Sequence, residues 1–265
     1  MPGVPAALGQ NHPMTLAILS ALPEEQHGLL DLLHAPVCVR HAGRDFWQGT
    51  WHGTPVVLAL AGIGKVAAAT TATVLVERFA AERIVFTGVA GGLGDGVRVG
   101  DVVVAQTLLQ HDMDASPLFP RFEVPLYGQS HFAADVALTA MLLEAAGAYC
   151  TGAEGQLGPE KVARFGLQNV RAHHGLLVAG DRFVATAAES HALRNALPGA
   201  LAVDMESAAV AQVCFDYHTP FAAVRTISDR ADDAAHVDFP LFLAQLAAPY
   251  AQGIIGRFLH LLLKK

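Results

Sequence analysis

Short apolar runs that end in acids or glycines alternate with helical segments from one end of this chain to the other. The predicted strand Leu201–Asp204 leads into Met205-Glu206, and the predicted strand Phe221–Ile227 leads into Ser228-Asp229. Strands that alternate with helices pack as one sheet covered by helices, and the ligands of such folds bind at the strand ends. The pattern predicts an α/β fold, a single-domain three-layer α/β/α arrangement with a mixed central β-sheet flanked by helices.

The two ends of the chain are expected to lie at the margin of this alternation. Residues 1–14 carry neither the basic nor the apolar region of a secretory signal, and we interpret them as a flexible N-terminal extension to one domain of residues 15–265. Near the other end, Gly253–Leu263 is apolar but shorter than the roughly twenty residues that cross a membrane. This segment predicts a half-buried terminal helix and no membrane partner.

Other segments give further predictions of local structure. His131–Gly147 predicts a helix, and the Pro- and aromatic-rich Ser116–Gly128 predicts a loop. Thr151–Ala172 is polar and interrupted by Gly and Pro, which favours an excursion over the surface. Earlier in the chain, Gly43 and His52-Gly53 separate three segments that favour antiparallel strands, Val37–His41, Asp45–Trp51 and Pro55–Leu60.

Charge and cysteine usage exclude several functional classes. The net charge is -7 with neutral histidines and no cluster of Lys and Arg stands out, so a nucleic-acid partner is not expected. The 3 cysteines are widely spaced and predict no disulfide framework, which favours a reducing cytoplasm. The 13 histidines show no zinc-site spacing, even at His111-Asp112-Met113-Asp114 and His173-His174. We therefore expect no metal and no other cofactor.

Two glycine-rich segments follow predicted strands, and each admits more than one interpretation. Gly62-Ile63-Gly64-Lys65-Val66-Ala67 fits a loose dinucleotide-binding fingerprint, but the next strand ends at Thr87-Gly88 without the acid that binds ribose. A tight strand–helix turn is therefore favoured over a dinucleotide-dependent dehydrogenase. Gly88–Gly94 either lets the backbone approach a flat ligand or makes a tight turn, and it holds no Arg or Lys for a phosphate.

Acidic side chains beside predicted strand ends are the main candidates for chemistry. Glu25 serves either as a general acid or base or as a surface acid that stabilises a helix dipole, and on spacing alone Glu24 competes with it. Glu206 and Asp229 have similar structural explanations, as a first-turn helix acid and as a cap. Arg225 lies among apolar neighbours in a strand and therefore needs a partner carboxylate. Three acids at strand ends together favour one functional cluster.

Eight blocks of sequence occur in an order that is typical of one enzyme family. They are Ala21–Glu25, Ala61–Ala67, Thr87–Leu93, Val99–Val103, His111–Asp114, Gly180–Phe183, Val203–Ala209 and Val224–Asp229. In this order they resemble the bacterial 5′-methylthioadenosine/S-adenosylhomocysteine nucleosidases, members of the purine nucleoside phosphorylase and uridine phosphorylase superfamily. The resemblance covers the chain from about Leu16 onwards. It implies a nucleoside phosphorylase-like catalytic domain, a nucleoside substrate and a cytoplasmic homodimer.

The resemblance implies a role for each acid. Asp229 corresponds to the acid that protonates purine N7, so that adenine leaves and the ribosyl group becomes oxocarbenium-like, much as in glycoside hydrolysis. Glu206 corresponds to the carboxylate that holds the ribose hydroxyls, and Glu25 to the base that deprotonates the attacking water. The implied substrate-binding residues besides Glu206 are Ile63, Val89, Gly91, Phe183, Val184, Met205, Ser228 and Phe239, and Arg225 supports the site from behind.

Within this set the resemblance also divides the substrate among the side chains. Phe183 is expected to stack on adenine while the backbone of Val184 reads the edge of the base. Met205 is expected under the ribose and Phe239 beside the 5′ substituent. Ser228 is expected to support Asp229.

The residues that bind phosphate in the phosphorylases of this superfamily are missing. Thr87 stands at the position of a strand-end arginine, Val89 at that of a nearby serine, and the arginine expected beyond the first strand is absent. Water is therefore expected as the nucleophile, and adenine and the 5′-thio-ribose as products, a reaction of methionine salvage. A phosphorolytic purine nucleoside phosphorylase and a hydrolase of another 5′-modified adenosine stay open. A non-catalytic nucleoside-binding protein also stays open, although binding alone does not need a base such as Glu25.

Two departures from the family pattern concern the 5′ substituent and the water. Many of these nucleosidases carry a serine at the position of Val89, so one contact to the water is expected to be lost. The loop Ala115–Leu126, which is implied to contact the 5′ substituent and to approach the dimer interface, differs from the common bacterial sequence. The sequence therefore predicts the reaction but leaves the preferred 5′ substituent open.

Overall fold

The computed structural model describes residues 14–264, and the extension predicted for residues 1–14 lies outside them except for Met14. Its strands are β1 (Leu16–Ser20), β2 (His34–His41), β3 (Arg44–Trp51), β4 (Thr54–Leu60), β5 (Arg83–Gly92), β6 (Val102–Gln110), β7 (His131–Ala133), β8 (Ala172–Ala179), β9 (Ala200–Asp204) and β10 (Phe221–Asp229). The helices are α1 (Pro23–Gln26), α2 (Lys65–Phe79), α3 (Val136–Leu157), α4 (Pro159–Phe165), α5 (Ala187–Ala196), α6 (Ser207–Asp216), α7 (Ala235–Phe242) and α8 (Ala248–Leu262). A π-helical turn, Leu243–Ala247, joins α7 to α8.

The strands form one mixed sheet in the order β10-β6-β8-β9-β5-β1-β4-β3-β2. β1 is parallel to β4 and β5, whereas β3 pairs antiparallel with both β2 and β4, as predicted for these three strands. β10 pairs with both β5 and β6, so that β5, β10, β6, β8 and β9 close into a ring. Within the ring Gly91 of β5 lies beside both Asp229 of β10 and Val203 of β9, so the ends of three strands meet at one point.

Side chains of the central strands alternate between two helix layers. Leu16 and Ile18 of β1 belong to the same apolar cluster as α3, α4 and α8, whereas Ala17 and Leu19 belong to that of α2 and α6. Successive residues of a strand point to opposite faces of a sheet, and a strand covered on both faces is therefore apolar throughout. The two layers confirm the predicted α/β fold with a mixed central β-sheet between helices.

The segment after β6 differs from the sequence prediction. β7 occupies the start of the predicted helix His131–Gly147, and α3 begins only after Asp135, whose side chain accepts a hydrogen bond from the N–H of Leu138 (2.8 Å). The surface excursion predicted for Thr151–Ala172 is wrong, because α3 continues to Leu157 and α4 follows it. Leu157, Val162 and Leu167 are buried in the core. The glycines of α3 were interpreted as interruptions of the helix. At Gly147 and Gly155, however, an added Cβ would meet no neighbouring atom within 4 Å, so no close contact requires a glycine there.

Two apolar helices cover the same face of the sheet. By length and composition α3 could cross a membrane, but it packs against α8 and β6, and half of its most apolar window, 50%, is buried inside the protein. Such burial is typical of a core helix. The predicted half-buried terminal helix is confirmed as the second half of α8, where Ile254 and Phe258 are buried and His260 is exposed.

Candidate active site

A cavity of about 340 Å³ lies where β1, β5, β9 and β10 end. It brings together all the predicted catalytic and substrate-binding residues, namely Glu25, Ile63, Val89, Gly91, Phe183, Val184, Met205, Glu206, Ser228, Asp229 and Phe239. Residues that the sequence did not assign to a site also line it, namely Ala21, Leu22, Ala90, Arg182, Val203 and Asp204. Leu22 and Asp204 lie within three residues of predicted acids. This proximity in sequence is the signal by which they could have been assigned to the site.

Glu25 is held inside the protein by backbone donors. The N–H groups of Ala21 (2.7 Å) and Leu22 (2.9 Å) donate to its Oε2, and the N–H of Val89 donates to its Oε1 (2.9 Å). Burial raises the pKa of Glu25, while the charge of Arg225 and these three N–H groups lower it to a smaller extent. A buried carboxylate with a raised pKa is a stronger base than an exposed one.

The exposure of Glu24 and the absence of a side chain at Gly88 explain why Glu25 is the acid that enters the cavity. Glu24, which competed with Glu25 on spacing, points to solvent, whereas Glu25 is 3% exposed. An added Cβ at Gly88 would lie only 2.7 Å from Oε1 of Glu25. Gly88 is therefore required for the close approach of the carboxylate to β5, which accounts for the first glycine of the segment Gly88–Gly94.

Glu206 precedes α6 and reaches across to another loop. Its Oε1 accepts a hydrogen bond from the N–H of Gly64 (2.9 Å), 142 residues earlier in the chain. Burial first and then the charge of Asp204 raise the pKa of Glu206, while the Gly64 N–H and Arg225 lower it. A carboxylate in this setting has one oxygen bound by the protein and the other available to a ligand in the cavity.

The loop that fits the dinucleotide-binding fingerprint is occupied by the protein itself. Besides the bond from Gly64 to Glu206, the N–H of Lys65 donates to Oδ1 of Asp181 (2.7 Å). These are donors at the start of α2, where a pyrophosphate would bind. Because carboxylates already accept from them, the geometry favours the tight strand–helix turn over a dinucleotide site.

Asp229 ends β10 and is almost fully buried. The hydroxyl of Ser228 donates to its Oδ2 (2.8 Å), and the N–H of Ala231 donates to its Oδ1 (2.8 Å). Burial is the largest effect and raises the pKa of Asp229. Gly91 permits this arrangement, since an added Cβ would lie 3.2 Å from Oδ1 of Asp229 and 3.0 Å from the Cβ of Ala231. The raised pKa favours the protonated form that a general acid requires.

Arg225 lies beneath the cavity, and the carboxylate that pairs with it is that of Asp204. Its Nε donates to Oδ2 of Asp204 (2.8 Å), and its Nη1 donates to the carbonyls of Phe86 (3.2 Å) and Val224 (3.3 Å). The guanidinium carbon also lies 4.0 Å from the ring centroid of Phe86. The sequence predicted that Arg225 needs a carboxylate but did not identify Asp204, which it treated as the end of a strand.

An aromatic pair forms the outer wall of the cavity. The rings of Phe183 and Phe239 lie edge to face with centroids 5.5 Å apart, and Phe183 is 42% exposed. The loop that carries Phe183 is fastened nearby, because Oδ2 of Asp112 accepts from the N–H of Asp181 (2.8 Å) and Oδ1 of Asp112 pairs with Lys65 (2.7 Å). The pair can enclose a flat ligand between the loop after β8 and α7.

Positive charge is scarce in the cavity. Among its described lining residues Arg182 is the one cation, and this side chain is 75% exposed and pairs with Glu189. Binding a phosphate dianion usually requires arginine, lysine or a free helix N-terminus. The site is therefore suited to a neutral nucleophile such as water.

The loop Ala115–Leu126 does not line the cavity of its own chain within the described residues. Leu118 and Leu126 of this loop are 84% and 91% exposed. The predicted loop character of Ser116–Gly128 is confirmed, since only the isolated bridge between Val124 and Gln129 interrupts it. The described cavity lining of one chain therefore does not include the loop that was predicted to contact the 5′ substituent.

Comparisons with known proteins agree with this geometry. The 5′-methylthioadenosine/S-adenosylhomocysteine nucleosidase of Bacillus thuringiensis (strain Al Hakam) is 35% identical over 88% of this chain and 94% of its own length. A crystal structure of the Neisseria meningitidis nucleosidase of the same name, in complex with methylthio-immucillin-A, has a TM-score of 0.79 and 32% identity, covering 92% of this chain and 98% of that one. Native futalosine hydrolase of Helicobacter pylori strain 26695 has a TM-score of 0.80 and 27% identity, covering 94% and 98%.

The family model of the phosphorylase superfamily matches residues 15–260, nearly the whole of the described chain. The curated relatives add a closer assignment, because their identity extends over most of both chains. The chain therefore belongs to the phosphorylase superfamily and, within it, to the 5′-methylthioadenosine/S-adenosylhomocysteine nucleosidases.

Proposed function

We propose that this chain hydrolyses the N-glycosidic bond of 5′-methylthioadenosine, S-adenosylhomocysteine or both, releasing adenine and the 5′-thio-ribose. The observation that carries the proposal is the convergence of Glu25, Glu206 and Asp229, three buried carboxyl groups, on one cavity of about 340 Å³. A cavity of this size suits a nucleoside-sized ligand. The relatives that carry the nucleosidase name support it.

In the proposed reaction Asp229 gives its proton to N7 of the purine. The electrons of the bond between C1′ and N9 then pass to the base, and neutral adenine leaves. Because burial raises the pKa of Asp229, the carboxyl group keeps its proton more readily than an exposed aspartate. Ser228 and the N–H of Ala231 hold the group in place.

Glu206 then faces the ribosyl group, which becomes positively charged as the base departs. The ionised form of Glu206, which the adjacent positive charge favours, stabilises the oxocarbenium-like sugar and accepts hydrogen bonds from the sugar hydroxyls. The N–H of Gly64 occupies only one of its oxygens. Met205, the preceding residue, is proposed to support the ribose from below.

Glu25 is proposed to take a proton from the water that attacks C1′. Three backbone N–H groups orient its carboxylate, so it needs little reorganisation when the water reacts. Val89 stands where many of these nucleosidases carry a serine. This difference has a limited effect on the orientation of Glu25, because the backbone N–H of Val89 still donates to its carboxylate. What a serine would add at this position is its hydroxyl and not the backbone contact.

Adenine release by the purified protein in phosphate-free buffer tests the proposal. We expect release from 5′-methylthioadenosine without phosphate, and a reducing sugar as the second product. Appearance of ribose-1-phosphate, or release that strictly requires phosphate, would identify a phosphorylase and contradict the proposal. Binding of substrate with no release of adenine from any 5′-modified adenosine would identify a non-catalytic nucleoside-binding protein.

A hydrolase of another 5′-modified adenosine is the second candidate. The futalosine hydrolase of Helicobacter pylori has the same fold at a TM-score of 0.80, so the fold alone does not select the 5′ group. The wall around Phe183 and Phe239 is the part of this cavity proposed to meet that group and the base. Ratios of kcat/KM for methylthioadenosine, adenosylhomocysteine and 5′-deoxyadenosine, which share the base and differ at the 5′ position, decide between the candidates.

We also propose a cytoplasmic homodimer that acts in methionine salvage. The exposed Leu118 and Leu126 on a loop that does not line its own cavity support an interface between two copies. Sedimentation equilibrium should give twice the chain mass of 27.9 kDa. Leu118→Asp should weaken the association, and a wild-type protein that stays monomeric at micromolar concentration would contradict the dimer.

A further inference from the structure

The buried ion pair beneath the cavity has no task in the proposed reaction. Asp204 accepts hydrogen bonds at both of its oxygens. Its Oδ1 accepts from the N–H of Glu206 (3.2 Å) and from the N–H (3.1 Å) and hydroxyl (2.9 Å) of Ser207, and its Oδ2 accepts from Arg225 (2.8 Å). The side chains of Arg225 and Asp204 are only 1% and 2% exposed. A buried pair of this kind seldom adds net stability.

The pair connects Glu25 and Glu206, two of the three carboxyl groups that the reaction is proposed to use. Through Oδ1, Asp204 holds the backbone on which Glu206 stands. Through Oδ2, it fixes Arg225, whose charge acts on both Glu25 and Glu206. Nη2 of Arg225 is buried and has no hydrogen-bond partner among the described residues, so the orientation of the guanidinium depends on its Nε and Nη1 contacts.

We propose that Asp204 is a positioning residue of this site, which sets the geometry of Glu206 through the start of α6 and balances the charge of Arg225 next to Glu25 and Glu206. The inference rests on the proposed function and extends it. Asp204 acts through its neighbours and not on the substrate. The carboxylate of Asp204 holds Arg225 in place. It also balances the charge of Arg225, which would otherwise lower the pKa of Glu25 further and make it a weaker base.

The charged groups around the two carboxylates come from three parts of the fold. Arg225 of β10 faces both, Asp204 of β9 faces Glu206, and Glu25 of α1 faces Glu206 as well. Arg225 is the one cation in this set. If Asp204 loses its charge, Arg225 is no longer balanced and favours the ionised form of both glutamates.

The test compares Asp204→Asn with variants that separate charge from packing. In Asp204→Asn we expect the acid limb of the profile of kcat/KM against pH to move down by about one unit, and kcat to fall by roughly tenfold. In Asp204→Glu the charge is kept, and the limb should stay at its wild-type position. Ser207→Ala removes one hydrogen bond to the same carboxylate without changing charge, and it should also leave the limb in place.

The double variant Asp204→Asn/Arg225→Gln gives the sharpest comparison. Removing both partners of a buried pair disturbs folding less than removing one, so this variant also serves if Asp204→Asn does not fold. Because no unbalanced cation remains, its acid limb should return toward the wild-type position. A wild-type limb in Asp204→Asn, or an equal shift in Asp204→Asn and Asp204→Glu, would overturn the proposal.

Wild-type turnover is measured first, so that failure of the proposed function can be distinguished from failure of the inference about Asp204. Absence of adenine release by the wild type counts against the proposed function alone. In that case melting temperatures still test the charge balance between about pH 5 and about pH 8. Burial of the glutamates costs stability as pH rises, and an unbalanced Arg225 should make that loss smaller in Asp204→Asn. An equal loss in both proteins would overturn the inference.

Discussion

Backbone N–H groups hold each of the three carboxyl groups that are proposed to carry the reaction. Glu25 accepts from three of them, Glu206 from Gly64, and Asp229 from Ala231. A carboxylate held in this way has few rotamers, and its reactivity depends on the charges and water around it. Replacement of one acid by its amide should therefore change chemistry more than structure.

Asp229→Asn should reduce kcat by about 10²–10⁴-fold, the usual contribution of general acid catalysis. An amide of the same shape cannot give a proton to N7, while Ser228 and Ala231 still surround it. Adenine release and the melting temperature are measured together. Asp45→Asn, at an exposed position of β3 where the carboxylate pairs with Arg40, is the matched control and should keep wild-type turnover. Undiminished turnover in Asp229→Asn would remove Asp229 from the mechanism.

Gly88→Ala should reduce kcat because its Cβ would lie 2.7 Å from Oε1 of Glu25. The carboxylate must move, and a displacement of about 1 Å costs up to roughly 10²-fold in rate. Gly147→Ala is the control, since nothing lies within 4 Å of its added Cβ. Equal rates in the two variants would show that the contact between Gly88 and Glu25 is not needed for turnover.

At the residue scale, sequence reasoning identified the acids but not all of their partners. Asp229 and Glu206 follow strands that were visible as apolar runs. Spacing could not choose between Glu24 and Glu25, because they are neighbours in one short helix and only packing against β5 buries one of them. The partner of Arg225 lies 21 residues away on another strand, so strand order had to be known first.

At the scale of elements, the helices that cover the sheet depend on buried leucines between polar residues. α4 and the turn after it hold Val162 and Leu167 in the core, although the surrounding sequence is polar. The sequence predicted the central strands well because strands covered on both faces are continuously apolar. It missed the length of α3 and the whole of α4, since glycines and a proline outweighed the few apolar residues.

Leu167→Ala should lower the free energy of unfolding by about 2–5 kcal/mol, the range for a large side chain removed from a core. Leu167 is 0% exposed and belongs to the apolar cluster that it shares with residues of α3, α4 and α8. Val136→Ala, at an 84% exposed position of α3, should change it by about 0.5 kcal/mol or less. Urea denaturation of both variants measures the difference, and a small loss in Leu167→Ala would place that residue outside the cooperative core.

At the scale of the whole molecule, the sheet closes on itself beneath the site. β10 pairs with β5 and β6, which are far from it in sequence, and the antiparallel contact between β5 and β9 completes the ring. No local pattern predicts such a closure, because it depends on pairings across more than a hundred residues. The α/β class followed from the alternation of elements, whereas the meeting of three strand ends at Gly91 required the structure.

The buried acids should also make the stability of the whole protein depend on pH. The folded pKa of Glu206 lies above its unfolded value, so its contribution is fully favourable below the unfolded pKa and is lost as pH rises through the folded one. Melting temperatures should therefore fall between about pH 5 and about pH 8, and Glu206→Gln should reduce that fall. The exposed Glu24→Gln is the control. A fall of the same size in both variants would contradict the assignment.

The contact between the N–H of Val89 and Glu25 has a consequence for how this enzyme can change over time. Main-chain donors survive almost any substitution, so residues 21, 22 and 89 can exchange side chains while the carboxylate of Glu25 stays anchored. All three positions also form the wall of the cavity. Side chains at these positions of the cavity wall can therefore change while the backbone contacts that hold Glu25 are kept.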